Sequence, residues 1–327
     1  MSDTETMQAI AIEGGTGDAD ALKIAHIVKP NAGDGQLLVR VHAAGVNRPD
    51  IFQRMGYYPP PPGASETLGL EIAGEVVEGH GRWKAGDRIC ALLPGGGYAQ
   101  YAVCDARHAL PIPEGLSFAQ AASLPETVIT VYANMFEDGG LKAGETLLIH
   151  GATSGIGVMA IQMAKAAGAR VIATARSAAK AEAALSLGAD LAIDTSAQDF
   201  GKVAAEAGGI DVVLDMVGGA YFAGNMEALN RKGRIVYIAS LGGMEITVPV
   251  IALMQKNAII TGSTLRGRSD EEKARLIQAI EQKVWPWIKS GAVKPIIDIE
   301  LPLESAAEAH RRMESGSHVG KIVLDTQ

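Results

Sequence analysis

Only two cysteines, Cys90 and Cys104, occur in 327 residues. Two thiols cannot build a disulfide framework or a four-cysteine zinc site, and such scarcity suits a reducing cytoplasm. Basic blocks are absent and the net charge is −8. Nucleic acid and anionic membrane surfaces are therefore not natural partners. No uninterrupted run reaches the ~18 apolar residues that a membrane span needs. The polar start Met1–Thr6 lacks the charged-then-apolar pattern of a signal peptide. No internal repeat is visible. These absences leave a cytoplasmic globular chain whose length sets an expectation of two domains, or one large one.

What is present falls into two styles. Residues 7–125 read as mostly β, with strands at Met7–Glu13, Leu22–Val28, Gln36–Val46, Gly69–Gly79, Asp87–Leu93 and Tyr98–Cys104. Arg48–Met55 has room for one or two helical turns. Tyr58 opens a run of four prolines, Pro59–Pro62, which cannot be helix or central strand and reads as an exposed loop. A helical pattern begins near Ser117, breaks at Pro125 and runs on to Met135. Strands then alternate with helices: Thr146–His150, Arg170–Ala175, Leu191–Asp194, Ile210–Val217, Arg234–Ala239 and Ala258–Leu265. That rhythm argues a doubly wound, six-stranded parallel sheet. Asp270–Lys289 reads as one long amphipathic helix, followed by a strand at Pro295–Leu301, a helix at Ser305–Met313 and a last strand at Lys321–Leu324. This tail is too short for a core of its own and is expected to return to the N-terminal β region.

The organising stretch is TLLIHGATSGIGVMAIQMAKAAGARVIATAR, residues 146–176. An apolar strand enters Gly151, Gly155 and Gly157, a helix with an apolar face follows, and Gly168 leads to the next strand. Glycines let the backbone turn tightly and approach a pyrophosphate, while the helix start offers unpaired N–H groups. The spacing departs from Gly-x-Gly-x-x-Gly, so its strand–turn–helix setting carries the argument. NAD-specific sites place an acidic residue about 20 residues on, against the ribose 2′-hydroxyl. Here the second strand ends in Arg176, with Lys180 four residues later. A guanidinium and an ammonium suit a 2′-phosphate, so NADPH is expected over NADH.

Asn47-Arg48-Pro49-Asp50, Gln53–Tyr58 with Pro60–Ser65, Gly69-Leu70-Glu71, Ala91–Gly97, Ile149–Gly157 and Gly320–Leu324 carry a resemblance over the whole chain. The sequence resembles the medium-chain dehydrogenases/reductases, in particular the zinc-free quinone oxidoreductases of zeta-crystallin type, and within them the tumour-suppressor-inducible branch. The resemblance implies an α/β fold: a GroES-like β-rich catalytic domain, residues 1–129 and 267–327, plus a Rossmann domain, residues 130–266. It implies an active site in the cleft between them and a homodimer joined through the Rossmann sheet edge. By position it assigns Asn47, Thr130, Ser154, Gly155, Ile156, Ser240, Leu241, Thr264, Leu265 and Lys321 to the cofactor. Thr195 stands near where subgroup members often carry a Tyr against the adenosine phosphate, which leaves more of that contact to Arg176 and Lys180.

Zinc-dependent relatives carry a Cys at the position of Asn47 and a His at that of Leu70. Leu70 has no donor and a neutral amide is a poor ligand, so no metal is expected. Without an electrophile to stabilise an alkoxide, alcohol oxidation is disfavoured, whereas a quinone accepts hydride onto an electron-poor ring. The resemblance places Tyr58 at the mouth of the cleft, where its phenol can donate to a developing oxyanion and its ring can stack. Asn47 and Tyr58 are thus the candidate catalytic residues. His150, at the end of a buried strand, reads as a packing histidine. Two other readings stay open: reduction of the activated C=C bond of an enone, alkenal or enoyl thioester, and an NADPH-binding protein without catalysis. A short-chain dehydrogenase is rejected, because no Tyr has a Lys four residues later.

Overall fold

The computed structural model describes residues 5–327. The chain forms two compact units. One draws on the chain up to Thr127, on Asp270–Trp285 and on Pro295–Gln327; the other comprises Val128–Ser269 and Pro286–Lys294.

The first unit is the β-rich one. Thr6–Ile12 and Leu22–Val28 pair as an antiparallel hairpin. A seven-stranded sheet is built around the ten-residue strand Gln36–Gly45, which pairs with Glu71–Glu78, Tyr101–Asp105 and Lys321–Asp325. Arg88–Leu92 and Ala109–Pro111 extend it on one side and Ile297–Pro302 on the other. The C-terminal tail thus does return to the N-terminal sheet. Leu37, Val39, Val41, Ile72, Ile89 and Leu324 are among the buried side chains of its core. The expected helix Asp270–Lys289 is two helices, Asp270–Lys283 and Trp285–Lys289. Pro286 lacks the N–H that would bond back to residue 282, which ends the first helix. Trp285 is buried at the break and donates its indole N–H to the Pro111 carbonyl at 2.8 Å.

A buried polar chain runs through this core. The Asp50 carboxylate accepts from the Asn47 amide at 2.7 Å, the Gly69 amide at 3.2 Å and the Tyr98 phenol at 3.1 Å. His310 lies 3.2 Å from the same phenol oxygen through Nε2 and 3.2 Å from Arg54 Nη1 through Nδ1. Because Arg54 can only donate, His310 accepts at Nδ1 and donates from Nε2. Burial, with Arg54 and Arg48 nearby, lowers the His310 pKa to about 3 and keeps it neutral. Arg54 ends the chain on Glu314 at 2.5 Å.

The second unit holds a six-stranded sheet in the order Leu191–Asp194, Arg170–Ala175, Thr146–His150, Ile210–Asp215, Leu229–Tyr237, Ile259–Gly262. Every pairing is parallel. In chain order this is 3-2-1-4-5-6, the Rossmann arrangement, and the winding reverses between Thr146–His150 and Ile210–Asp215. The fifth strand begins at Leu229 rather than Arg234, its register shifting where Ile210 and Val212 face it. Past Val131 the backbone widens into a π-helical turn, Tyr132–Asp138, where apolar periodicity predicts ordinary helix. Asn134 there accepts from Ser263 at 2.8 Å and donates to the Thr130 carbonyl at 2.9 Å.

Burial pushes the Asp50 pKa from 3.8 up to about 6, against the pull of its donors and of Lys321. An acid held more tightly protonated when folded contributes full stability below its unfolded pKa and loses it as pH rises through the folded one. Urea unfolding should show stability falling by up to about 3 kcal/mol between roughly pH 4 and pH 7 from this group. Asp50→Asn should flatten that slope; an unchanged slope in the variant would remove the assignment.

Candidate active site

The glycine loop sits at the carboxyl edge where the winding of the parallel sheet reverses. Gly151 has φ +69°, a conformation open to glycine, and a Cβ there would meet Met216 Sδ at 2.8 Å. Gly157 lies in the first turn of helix Gly155–Ala166, and a Cβ on it would meet the Gly151 carbonyl at 2.3 Å and that of Ala152 at 2.6 Å. The helix start therefore presses against the loop as closely as two backbones can. Ser154 caps it: its hydroxyl accepts from the Gly157 amide at 3.0 Å and donates to the Gly151 carbonyl at 2.8 Å. That proton is spent inside the loop, so the anion-binding capacity rests on the N–H groups of Gly155 and Ile156.

Behind the loop lies a satisfied network. His150 accepts at Nδ1 from the Thr174 hydroxyl at 2.8 Å and donates from Nε2 to Asn225 Oδ1 at 2.8 Å. Asn225 donates to Asp215 at 2.6 Å, and the other Asp215 oxygen accepts from the amides of Val217 and Gly218 at 2.6 and 2.8 Å. Burial holds the His150 pKa below its ordinary value. The histidine is a neutral fastener joining the ends of three strands, in line with its reading as a packing residue.

Around this edge the sequence candidates fall into place in two groups. Arg176 is exposed just after Arg170–Ala175, and Lys180 lies in the first turn of helix Ala178–Ser186, capped by Ser177. Thr195 follows Leu191–Asp194 and binds the Ala175 carbonyl through its amide, 2.9 Å, and its hydroxyl, 3.1 Å. On the other side, the loop carrying Ser240 and Leu241 is zipped to the loop after Asp215. The amides of Leu241 and Gly242 donate to the Met216 and Val217 carbonyls at 3.1 and 2.6 Å, and Gly219 donates to Gly243 at 2.9 Å. Thr264 is exposed and Leu265 buried, just past Ile259–Gly262; Thr130 closes a helical turn next to Asn134.

Asn47 and Lys321 meet in the first unit. The Lys321 ammonium donates to Asn47 Oδ1 at 2.6 Å and to the Val46 carbonyl at 3.0 Å, and pairs with Glu71 Oε1 at 2.6 Å. Its three hydrogens are thereby used. Asn47 donates to Glu71 at 3.0 Å and to the Gly45 carbonyl at 3.3 Å, and its side chain forms a capping box with Asp50 at the start of helix Arg48–Arg54. The second Glu71 oxygen accepts from the Glu126 amide at 2.8 Å. All three side chains are buried. Tyr58 is half-buried in the proline-rich loop beyond helix Arg48–Arg54.

A zinc ion would have to find ligands here. Leu70 offers none, Asn47 has only an amide oxygen, the Glu71 carboxylate is paired with an ammonium and Asp50 is held by its own three donors; this donor set does not fit zinc. Among the described residues, no group of three or more His, Cys, Asp or Glu is placed to hold a metal. Nor is any helix among them long and apolar enough to cross a membrane.

Residues 33–114 match the family model of the alcohol dehydrogenase GroES-like domain, and residues 187–324 that of the zinc-binding dehydrogenase. Quinone oxidoreductase of Rattus norvegicus is 32% identical over 319 residues, covering 94% of either chain. The chain belongs to the quinone oxidoreductase family of medium-chain dehydrogenases/reductases. Among solved structures, the quinone oxidoreductase of Escherichia coli complexed with NADPH superposes with a TM-score of 0.86 at 28% identity, covering 98% of this chain and all of that one. An NAD-dependent alcohol dehydrogenase gives a TM-score of 0.86 at 30% identity, with the same coverage. As a member of this family the chain is an oxidoreductase that uses a nicotinamide cofactor, on the GroES-like and Rossmann folds expected from its motifs.

For this quinone oxidoreductase relative, sequence reading missed His310, Arg54 and Tyr98, whose partners lie up to 260 residues away. It also missed that Glu71, noted only as part of a motif, is the counter-ion of Lys321. Lys321→Met leaves that carboxylate buried without its cation and should cost about 3–5 kcal/mol of stability. Adding Glu71→Gln removes the orphaned charge and should recover much of the loss. Equal unfolding midpoints for wild type and Lys321→Met would contradict the pairing.

Proposed function

We propose that the chain is an NADPH-dependent, zinc-independent reductase that passes hydride to a quinone or similarly electron-poor acceptor. The observation that carries this reading is the Lys321 ammonium, enclosed by Glu71, Asn47 and Val46, where Asn47 stands at a position that the family resemblance gives to a zinc-ligating Cys in zinc-dependent relatives. That cation is fully engaged and has no hydrogen left with which to stabilise an alkoxide. The acceptor then has to be one whose reduced form needs little help, as a hydroquinone anion does. The names of the rat and bacterial relatives support the same choice.

When bound, the coenzyme supplies the hydride. The amides of Gly155 and Ile156, with Gly151 and Gly157 keeping side chains out of the way, hold the pyrophosphate. Arg176 and Lys180 grip the 2′-phosphate. Thr130, Ser240, Leu241, Thr264 and Leu265 border the nicotinamide end, and Asn47 belongs to the cofactor site by its place in the family motif. Tyr58 donates a hydrogen bond to the oxygen on which charge develops.

Oxidation of NADPH, with NADH as control, should proceed with higher kcat/KM for 1,4-naphthoquinone than for an alkenal or crotonyl-CoA. Tyr58→Phe should lower the quinone kcat/KM by about 10–100-fold while leaving the Kd for NADPH unchanged. Preference for crotonyl-CoA or the alkenal would make the chain a C=C reductase. NADPH binding without turnover of any acceptor would make it a binding protein.

We further propose a homodimer. Among the described residues the last strand, Ile259–Gly262, pairs on one side only, and helix Val250–Lys256, which precedes it in the chain, leaves Ile251 65% and Met254 69% exposed. Sedimentation at twice the mass of one chain is expected, falling to one with Met254→Glu; a wild-type monomer would end this part of the reading.

A further inference from the structure

The carboxyl ends of Arg170–Ala175 and Leu191–Asp194 are where the adenosine end of a dinucleotide lies in this arrangement of strands. A third side chain reaches them from outside those two strands. Tyr221 closes the short turn Gly219–Tyr221 after the fourth strand, and its phenol donates to Thr195 Oγ1 at 3.0 Å. Thr195 passes its own proton to the Ala175 carbonyl, one residue before Arg176. The aromatic ring is fixed independently of that hydroxyl: it packs edge-on against His150 and at a tilt against Phe200, both at 4.8 Å between centroids. Packing thus holds a phenol hydroxyl on Thr195, a neutral acceptor whose second partner is the carbonyl of the residue before the exposed Arg176. The carboxylate of Asp194, next to Thr195, is turned into its own loop, accepting from the Ser196 amide at 3.0 Å and hydroxyl at 2.7 Å.

A phosphate dianion only accepts hydrogen bonds, and a charge-assisted bond is roughly twice as strong as a neutral one. It would therefore draw the phenol proton away from Thr195. A ribose 2′-hydroxyl carries a proton of its own and can bond to the phenol oxygen without disturbing the pair. We propose that Tyr221 is a specificity-determining residue for the coenzyme, donating to the 2′-phosphate alongside Arg176. This rests on the NADPH reading above. Nothing in the sequence marks the residue, because its contact with Thr195 spans 26 positions and two loops.

Calorimetric Kd values for NADPH, NADH, 2′,5′-ADP and 5′-ADP test this without turnover. Tyr221→Phe keeps the ring on His150 and Phe200. It should raise the Kd for NADPH and 2′,5′-ADP about tenfold, and that for NADH and 5′-ADP by less than about threefold. Thr195→Val removes the competing acceptor and should lower the Kd for NADPH by about threefold. A rise in that variant, or equal changes for the phosphorylated and unphosphorylated ligands in Tyr221→Phe, overturns the proposal. Wild-type chain that binds NADH as tightly as NADPH overturns the coenzyme reading and this inference together. A wild-type preference for NADPH that survives intact in Tyr221→Phe overturns the inference alone.

Discussion

The buried ammonium of Lys321 sets the architecture of the first unit. Taking a lysine and a glutamate out of water costs several kcal/mol per ion, and their attraction offsets that only with close geometry and satisfied remaining valences. Both conditions hold here. Lys321 uses every hydrogen, and the two Glu71 oxygens accept from Lys321 and Asn47 on one side and from the Glu126 amide on the other. Three distant parts of the chain are thereby bound to one point: the end of strand Gln36–Gly45, the start of Glu71–Glu78 and the start of Lys321–Asp325. Asn47 is held by its side chain on one face, while its backbone amide starts the second buried chain through Asp50, Tyr98, His310 and Arg54. Burying so many polar groups is tolerable because each donor meets an acceptor, and it specifies one register rather than many.

The second unit depends on a different constraint, the approach of one backbone to another. Helix Gly155–Ala166 can begin at the sheet edge only because Gly157 has no Cβ to strike the Gly151 and Ala152 carbonyls. The His150–Asn225–Asp215 network then holds the neighbouring strand ends at fixed height, and the backbone zip between the two following loops closes the other side. Rigid support of this kind fixes the first N–H groups of the helix in place against the loop.

Much of this was legible in order along the chain. The βα rhythm from Thr146 to Leu265 gave the parallel sheet, because a buried parallel strand reads as a short apolar run and its crossover helix as a 3.6-residue period. Local chemistry also showed through: the glycine loop, the missing acid at Arg176 and the proline loop at Tyr58. Three kinds of feature did not. The break before Trp285 was hidden by continuous amphipathicity on both sides of Pro286. The π-helical turn after Val131 keeps an apolar face, so periodicity cannot tell it from ordinary helix. The polar pairs were invisible for another reason. Lys321 and Asn47 stand 274 positions apart, and Arg54 and His310 stand 256 apart. A buried lysine and an exposed one look the same in a sequence; only the fold brings their partners to them.

The charge at Lys321 also bears on what chemistry the protein can support. A divalent ion with an open coordination position lowers the free energy of an adjacent oxyanion and makes alkoxide accessible near neutral pH. A lysine ammonium brings a single charge, already offset by Glu71 and shared with a carbonyl and an amide oxygen, so the field it leaves beyond that cage is weak. Neutral donors such as a tyrosine phenol can then stabilise only modest charge, worth a few kcal/mol at best. Hydride delivered to a simple ketone would concentrate a full charge on one oxygen and exceed that capacity. Hydride delivered to a conjugated, electron-poor acceptor spreads the charge over a ring or an extended π system before any proton arrives. Under the proposed function, the ammonium caged by Glu71, Asn47 and Val46 therefore favours acceptors of the second kind.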